Sequence, residues 1–518
     1  MIKKYFPLFA LILLLLSSVT IYMFKNNRDL LSLEKDSFKN EKTESYSVTS
    51  SDYRASEVGQ KIIADGGNAA DAAIGVAFAL AIVEPYASGL GGGGALLYYD
   101  GQMEAPDEIK YQSISSSEYA PGDLIGVPGL VSGMDTLQKE YASMDMKDIL
   151  DYVIPLAEDG ITVDARFAQN LALYKEYNDD DSPFYKDGEP LSSGEKVKQP
   201  ELADTLKYIQ THGVEAFYEK LGETMTDEFE HFSVEDFTNY KTTKGNVLSM
   251  DYQGSKVFTP SSPLGGVFTL QALQVDEILR EQNGDSYNFI QSVNDSRDIM
   301  MLNKDIVSDN DGDRTQYLDK NYIENELHHL KNVSEVDYEE NINNNTTHFV
   351  VVDKDGHMIS ATNTLNRYFG SGKYTSLGFY LNNSLDNFSK DSASPNYGEP
   401  NKTPRSYTSP TIIVNDDSYI GIGTPGGNMI PTVVSQIIIQ YLNNDLSLKS
   451  AIQQGRLFKE NEEIYYENFT DFESLGNIDE LDLPIRKISS PNEFGNIQSV
   501  IYVRDSKESY RYYDRNNR

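Results

Sequence analysis

Cysteine and tryptophan are absent from the 518 residues, and histidine occurs only six times. Without cysteine there is no disulfide scaffold, no thiolate zinc site, no thiolate nucleophile and no lipid on an N-terminal cysteine. Basic residues are scarce as well: 44 Lys and Arg stand against 80 Asp and Glu, a net charge of −36. Such a chain lacks the cationic footprint of phosphate-backbone recognition, which excludes nucleic acid as a partner. Six histidines offer few metal ligands, and neither metal nor other cofactor is expected. The run Asp309-Asn310-Asp311-Gly312-Asp313 imitates a calcium loop, but its glycine is misplaced and the closing glutamate is missing. What the chain has in quantity is apolar and aromatic, 39% hydrophobic with 35 Tyr and 22 Phe. That is the composition of a folded protein with one large unit or two or three smaller ones.

Lys3 and Lys4 precede Phe6 to Phe24, which carries no charge, and a polar run begins at Lys25. At ~1.5 Å per residue the apolar run crosses most of a ~30 Å hydrocarbon core, and the lysines favour a cytoplasmic amino terminus. Residues 1–24 are therefore expected to be a membrane anchor or a cleaved signal peptide, and residues 25–51 a polar tether. The remainder is then outside the cell, held at the membrane or released to the cell wall.

From Tyr53 on, helices and strands alternate. Ala55 to Ala64 predicts a helix stopped by Gly66-Gly67, and Asn68 caps a second over Ala69 to Glu84, apolar on every side and so destined for the interior. Gly91 to Gly94 then lead into a strand over Ala95 to Tyr99. No Lys-Ser/Thr follows the glycines and no dinucleotide spacing is present, so they read as close backbone packing rather than a phosphate loop. Asp145 to Ile342 reads mainly as helices and polar loops.

Thr346 to Asp353 is a strand, Lys354-Asp355-Gly356 a turn, and His357 to Thr364 a second strand. A three-residue loop sets Thr346 opposite Thr364; a two-residue loop sets Leu365 there, with Thr364 adjacent. A threonine hydroxyl needs a base to attack at neutral pH. If the bond between Asn345 and Thr346 is cut, the freed α-amine, with a reference pKa of ~7.7 to 8.0, supplies that base from the same residue. Both threonines also suit an ordinary strand.

The segments Ala55-Ser56-Glu57-Val58-Gly59, Gly66 to Ala73, Gly91 to Gly94, Gly126-Val127-Pro128-Gly129, Thr346-Thr347-His348-Phe349, Ala361 to Thr364, Phe369 to Gly372, Gly378 to Asn383, Ser409-Pro410-Thr411 and Thr424 to Asn428 together resemble the γ-glutamyltransferase family. The resemblance runs from about Ala55 to Ile464. It implies an α+β fold of the N-terminal-nucleophile hydrolase type, a four-layer αββα sandwich. One chain matures into two associated fragments, here 52–345 and 346–518, as a heterodimer. It further implies Thr346 as nucleophile and base, Thr364 as its hydroxyl partner, Asn366 as a substrate contact, and Gly426 and Gly427 as backbone donors to an oxyanion.

Three departures bear on substrate. Members that cleave glutathione carry Arg-Glu-x-Ala-Pro after the glycine run, where this chain has Glu108 to Ser113 and no arginine. The paired serines of the family appear as Ser406 and Tyr407, and its ammonium-binding aspartate as Asn387. The stretch Lys390 to Lys402, where some members carry a lid, is short and implies an open groove. Arg405, Arg511, Arg515 and Arg518 are available as local positive charge, and Arg511, on an expected C-terminal strand, is the one selected for a substrate carboxylate. These changes resemble the branch that cleaves poly-γ-glutamate capsule and transfers it to a peptidoglycan amine. A γ-glutamyltransferase or glutathione hydrolase is the alternative, an acylase acting on cephalosporin or glutaryl groups a third, and an unprocessed acidic binding protein a reading from another class.

Overall fold

In the computed structural model, which describes residues 45–178, 181–310, 312–333, 336, 338, 344–444, 446–461, 463–467, 483–488 and 494–514, side chains that alternate in and out along the strands sort two sheets into layers. In chain order the strands of these sheets are β1 (Ser47–Ser50), β2 (Gly93–Tyr99), β3 (Asp107–Lys110), β4 (Thr243–Gly245), β5 (Leu248–Tyr252), β6 (Ser255–Thr259), β7 (Asn344–Val352), β8 (Met358–Arg367), β9 (Thr411–Val414), β10 (Ser418–Gly423), β11 (Gln498–Val503) and β12 (Glu508–Tyr513). The first sheet runs β1-β7-β8-β2-β3-β4 and the second β12-β11-β10-β9-β6-β5. Every pairing in both is antiparallel.

Successive residues of a strand face opposite ways. Phe349 and Val351 of β7 join one helix-covered core with Leu96 and Tyr98 of β2. Val350 and Val352 instead meet Leu97, Met358, Ile412, Tyr419 and Val500 in a core between the two sheets. Ile413, Ile420 and Ile501 point the other way, into a third core under the helices of the second sheet. The result is the four-layer α+β sandwich, helices outside and sheets within.

Helices α1 (Tyr53–Ala64) and α2 (Ala69–Val83) cover the first sheet, while α3 (Gly266–Asn283), α4 (Phe289–Leu302) and α5 (Ile430–Asn443) cover the second. Every residue of α2 is buried, as its uninterrupted apolar sequence requires. Its start is fixed by a capping box in which Asn68 accepts from Ala70 and Asp71 while Asp71 accepts from the Asn68 N–H. The Asp71 carboxylate also takes the Ser143 N–H (3.0 Å), the Met144 N–H (2.9 Å) and the Ser143 hydroxyl (2.5 Å).

The expected helices and hairpin are present, with shifts at their ends. Asp52 caps α1 through the Arg54 N–H, so that helix starts at Tyr53. Ser47–Ser50, expected as tether, is instead β1, buried and paired with Phe349 to Val352. Within 145–342, β5 and β6 form a hairpin around Gln253-Gly254, both at positive φ. That two-residue Xaa-Gly loop between short alternating runs is a recognisable hairpin signal. The segment 1–24, Arg515 and Arg518 lie outside the described residues, and no helix among the described residues is long and apolar enough to cross a membrane.

Asp71→Ala removes the carboxylate that accepts from the part-buried Ser143 and Met144 N–H groups and from the N-cap N–H, and hydrogen bonds to a charged group are worth ~1.5 to 3 kcal/mol each when fully buried and less here. Urea unfolding should show a loss of about 3 kcal/mol. A loss within 0.5 kcal/mol, of the order of an ordinary surface substitution, would mean that α2 does not depend on this carboxylate.

Candidate active site

The β7–β8 register sets Thr346 opposite Thr364 and Val352 opposite Met358, as a three-residue loop demands. One step earlier it changes: Asn345 faces Asn366, and Leu365 is the extra residue. This β-bulge lies at the Asn345–Thr346 bond. Leu365 leaves the ladder to donate its N–H to Ala87 O (3.0 Å), and Asn366 turns to φ +81°, a left-handed conformation that asparagine tolerates better than most residues.

The turn brings the Asn366 N–H to Thr364 Oγ1 at 2.8 Å. Thr364 donates its own proton to the Asn345 carbonyl at 2.9 Å. A hydroxyl has one proton. The remaining contact, Thr346 Oγ1 to Thr364 Oγ1 at 3.1 Å, therefore has Thr346 as donor. The Thr346 N–H meanwhile donates to Asn345 Oδ1 (3.0 Å).

The two-residue period puts Thr346 and His348 on the inter-sheet side and Thr347 on the helix side. Thr347 donates to the buried Glu84 carboxylate at 2.9 Å, and Tyr86 donates to the same group at 3.2 Å. Burial raises the Glu84 carboxyl above its ordinary range, opposed by the nearby Arg166 guanidinium and by hydrogen bonds from Ser51 and Thr347. His348 is wholly buried, with Nδ1 on Thr362 Oγ1 at 2.8 Å, and burial pushes it down to about 3. A Cβ on Gly423 would stand 2.4 Å from this ring, so the bare backbone of β10 is what lets the second sheet close over it.

Beyond Gly423 the chain passes Thr424-Pro425 to Gly426 (φ 138°) and Gly427 (φ 56°), and the Gly427–Met429 turn contacts β7. Positive φ at both glycines permits this reversal without a Cβ. The turn leads into α5, whose N-terminal dipole is positive. Arg297, fully buried on α4 and stacked 4.3 Å over Phe458, holds the turn by donating Nη1 to Asn428 O at 2.9 Å.

Thr364 and Asn366 also line a narrow cleft, together with Ser113, Asn387, Arg405 and Ser406. A chain of amides braces one wall. Asn366 donates to Asn383 O (3.2 Å), Asn387 to Asn366 Oδ1 (3.0 Å), Asn396 to Asn387 O (2.7 Å), and the Arg405 N–H to Asn396 Oδ1 (2.9 Å). One of the two Asn387 amide N–H groups is used in this way, and its Oδ1 is an acceptor.

Of the residues selected from sequence, Thr346, Thr364, Asn366, Asn387 and Ser406 gather at β7, β8 and the cleft beside them, and Gly426 and Gly427 at the adjoining turn. Two do not join them. The Tyr407 ring is buried in the core of the second sheet, against Phe268. Arg511 is exposed on edge strand β12, opposite Val500, and does not line the cleft. Sequence reasoning missed Ser113, Asn396 and Arg297, whose polar or charged side chains are buried with no local pattern to mark them.

His348 stays neutral in the folded chain, whereas an unfolded histidine protonates below ~6.5. Acidification thus favours the unfolded state, and the stability due to this group, complete above pH ~6.5, is lost between there and about 3. His348→Gln should reduce the fall in unfolding free energy between pH 6.5 and 5 by about 1 kcal/mol per pH unit. Equal slopes for the two proteins would show that the ring titrates normally.

The comparisons agree with this geometry. A family model described as gamma-glutamyltranspeptidase matches residues 55–514. The chain is 35% identical over 510 residues to the capsule biosynthesis protein CapD proenzyme of Bacillus anthracis, covering 95% of this chain and 93% of that one. It is 30% identical over 514 residues to the glutathione hydrolase proenzyme of Bacillus subtilis, covering 86% of each. The crystal structure of cephalosporin acylase from Bacillus halodurans shares the fold, with a TM-score of 0.80 at 21% identity over 92% of this chain and 96% of that one. The paired threonines at a bulged strand, the diglycine turn and the family match over residues 55–514 have one reading: this protein is a member of the gamma-glutamyltranspeptidase family.

Proposed function

We propose that this is a self-processing γ-glutamyl hydrolase and transpeptidase that cleaves poly-γ-glutamate capsule through a threonyl acyl-enzyme and passes the chain to water or a cell-wall amine. The observation that carries the reading is the Thr346–Thr364–Asn345 hydrogen-bond chain beside a cleft lined by Asn387 and by no acidic side chain among the described residues. Likeness to a capsule biosynthesis proenzyme supports it. The apolar segment 6–24 carries the enzyme out of the cell.

Maturation begins when Thr346 Oγ1 attacks the Asn345 carbonyl carbon. The Thr346 proton moves to Thr364 as the Thr364 proton moves to the carbonyl oxygen, so the developing charge is neutralised along hydrogen bonds already in place. The carbon–nitrogen bond then breaks, its nitrogen takes a proton, and water hydrolyses the ester. The freed α-amine of Thr346 becomes the base for turnover, with the Gly426 and Gly427 N–H groups opposite the substrate oxyanion, one such donor being worth ~2.7 to 4 kcal/mol.

Asn387 selects among donors. A free α-ammonium rewards an aspartate with a charge-assisted hydrogen bond, ~1.5 to 3 kcal/mol against ~0.5 to 1.5 for a neutral one. A residue inside poly-γ-glutamate has a neutral amide at that nitrogen, which would leave an aspartate desolvated without its cation but can donate to Asn387 Oδ1. Glutathione hydrolysis, suggested by the relative from Bacillus subtilis, is the second reading and is disfavoured by this substitution.

Thr346→Ala should remain one chain on a denaturing gel while the native protein runs as two fragments, the smaller of 173 residues. Cleavage of the variant at the same bond without added protease would refute self-processing. Asn387→Asp should raise the rate on γ-glutamyl anilide relative to that on poly-γ-glutamate by about tenfold. A ratio that stays put or moves toward the polymer returns glutathione hydrolysis to first place.

A further inference from the structure

The turn at Gly426 and Gly427 is held by a cation that has no anion of its own. Arg297 is wholly buried. Nη1 donates to Asn428 O at 2.9 Å and Nε to Lys459 O at 3.4 Å, while the guanidinium lies 4.3 Å over the Phe458 ring and 5.6 Å from that of Tyr338. Nη2 has no hydrogen-bond partner among the described residues. The carboxylate next in sequence is committed elsewhere, since Asp298 accepts from Lys459 Nζ at 2.6 Å and from the Tyr338 hydroxyl. Asp298 and Glu460 therefore reach Arg297 only through their fields. Burial pulls the guanidinium down to about 10, which leaves it a cation at neutral pH.

A buried cation without a paired anion disfavours the folded state, and an apolar side chain of similar length would not. Asn428 directly follows Gly427, so backbone dimensions put the guanidinium within roughly 10 Å of the Gly427 N–H. We propose that Arg297 is the positioning residue of the oxyanion turn and that the counter-ion it lacks is the oxyanion itself, an inference that rests on the threonyl acyl-enzyme reading above. When Thr346 Oγ1 bonds the γ-carbonyl carbon of a donor, its proton passes to the Thr346 α-amine and the C=O electron pair moves onto oxygen. The bond from Arg297 to Asn428 O keeps the glycine N–H groups aimed at that oxygen, and the guanidinium charge acts on it through protein rather than water. The neutral carbonyl of the bound donor offers the cation nothing comparable. The stabilisation therefore falls on the transition state, in kcat rather than KM.

The test uses matured full-length protein, N-acetyl-γ-glutamyl anilide as donor, and an N-acetylglutamate analogue whose γ-carboxyl is replaced by a boronic acid, which takes up the Thr346 hydroxyl as a tetrahedral anion. N-acetylglutamate itself reports ground-state binding. Arg297→Met, near in length but neutral, should lower kcat about ten- to hundredfold with KM within about threefold, and should lower the boronate-to-glutamate affinity ratio by a similar factor. Arg297→Lys, which keeps the charge, should fall between it and the native enzyme in both. A role in packing alone would lower the melting temperature of both variants and leave the affinity ratio native; that result overturns the proposal, as does a kcat for Arg297→Met within about threefold of native. If Arg297→Met does not mature, Arg297→Lys decides: a ratio below the native one upholds the proposal and an unchanged ratio overturns it. A native enzyme inert toward the anilide overturns the acyl-enzyme reading itself, whereas an active one with an unmoved ratio overturns only the role of Arg297.

Discussion

One hydroxyl with one proton governs the centre of this protein. Thr364 accepts from Thr346 and from Asn366, and gives its proton to the carbonyl of Asn345. Those three bonds exhaust a threonine hydroxyl, and so they fix the direction of each. They also explain the local backbone. The Asn366 N–H reaches Thr364 because the chain bulges at Leu365 and enters the left-handed region, and that bulge is anchored by Ala87, four residues past the end of α2. Helix, bulge and Thr346 are thus one mechanical unit.

Charge is organised on two scales. The whole chain is strongly acidic, yet among the described residues the cleft is lined by one cation and no anion. Outer charges beyond about 8 to 10 Å are screened at physiological salt, so a polyanion in the cleft responds chiefly to the groups that touch it. Net charge governs solubility and encounter; the lining governs recognition. An acidic enzyme acting on an acidic polymer involves no contradiction.

Much of the centre was legible in the sequence because it is local. The Thr346–Thr364 register follows from counting across Lys354-Asp355-Gly356, and the buried α2 from an apolar run with a single capping signal. The glycine run was read as close packing, and a Cβ on Gly92 or Gly94 would indeed meet the β8 carbonyls of Thr364 and Thr362 at 2.4 and 2.3 Å. What escaped is long-range. Ser47–Ser50 looks like tether until Val48 is seen packed in the core under α1 and α2. Arg511 is on the strand expected, but alternation turns it to solvent. Tyr407 follows Ser406 yet faces the core, since neighbouring residues of an extended chain point opposite ways. Ser113 and Asn396 acquire meaning only when distant segments meet.

The order of strands in the first sheet has a mechanical implication. The β7–β8 hairpin is inserted between β1 and β2, and in the second sheet β9 to β12 adjoin β6 and β5. A break at Asn345–Thr346 would leave both sheets woven from both pieces, with Val350 and Val352 still clamped between sheets that each contain the other fragment's strands. The pieces could not slide apart as rigid bodies. Separation would require tearing backbone ladders in two sheets together, so the nicked protein should come apart only as fast as it unfolds. In a chain with no cysteine to staple them, interleaving is what would hold a cut polypeptide together as a durable particle.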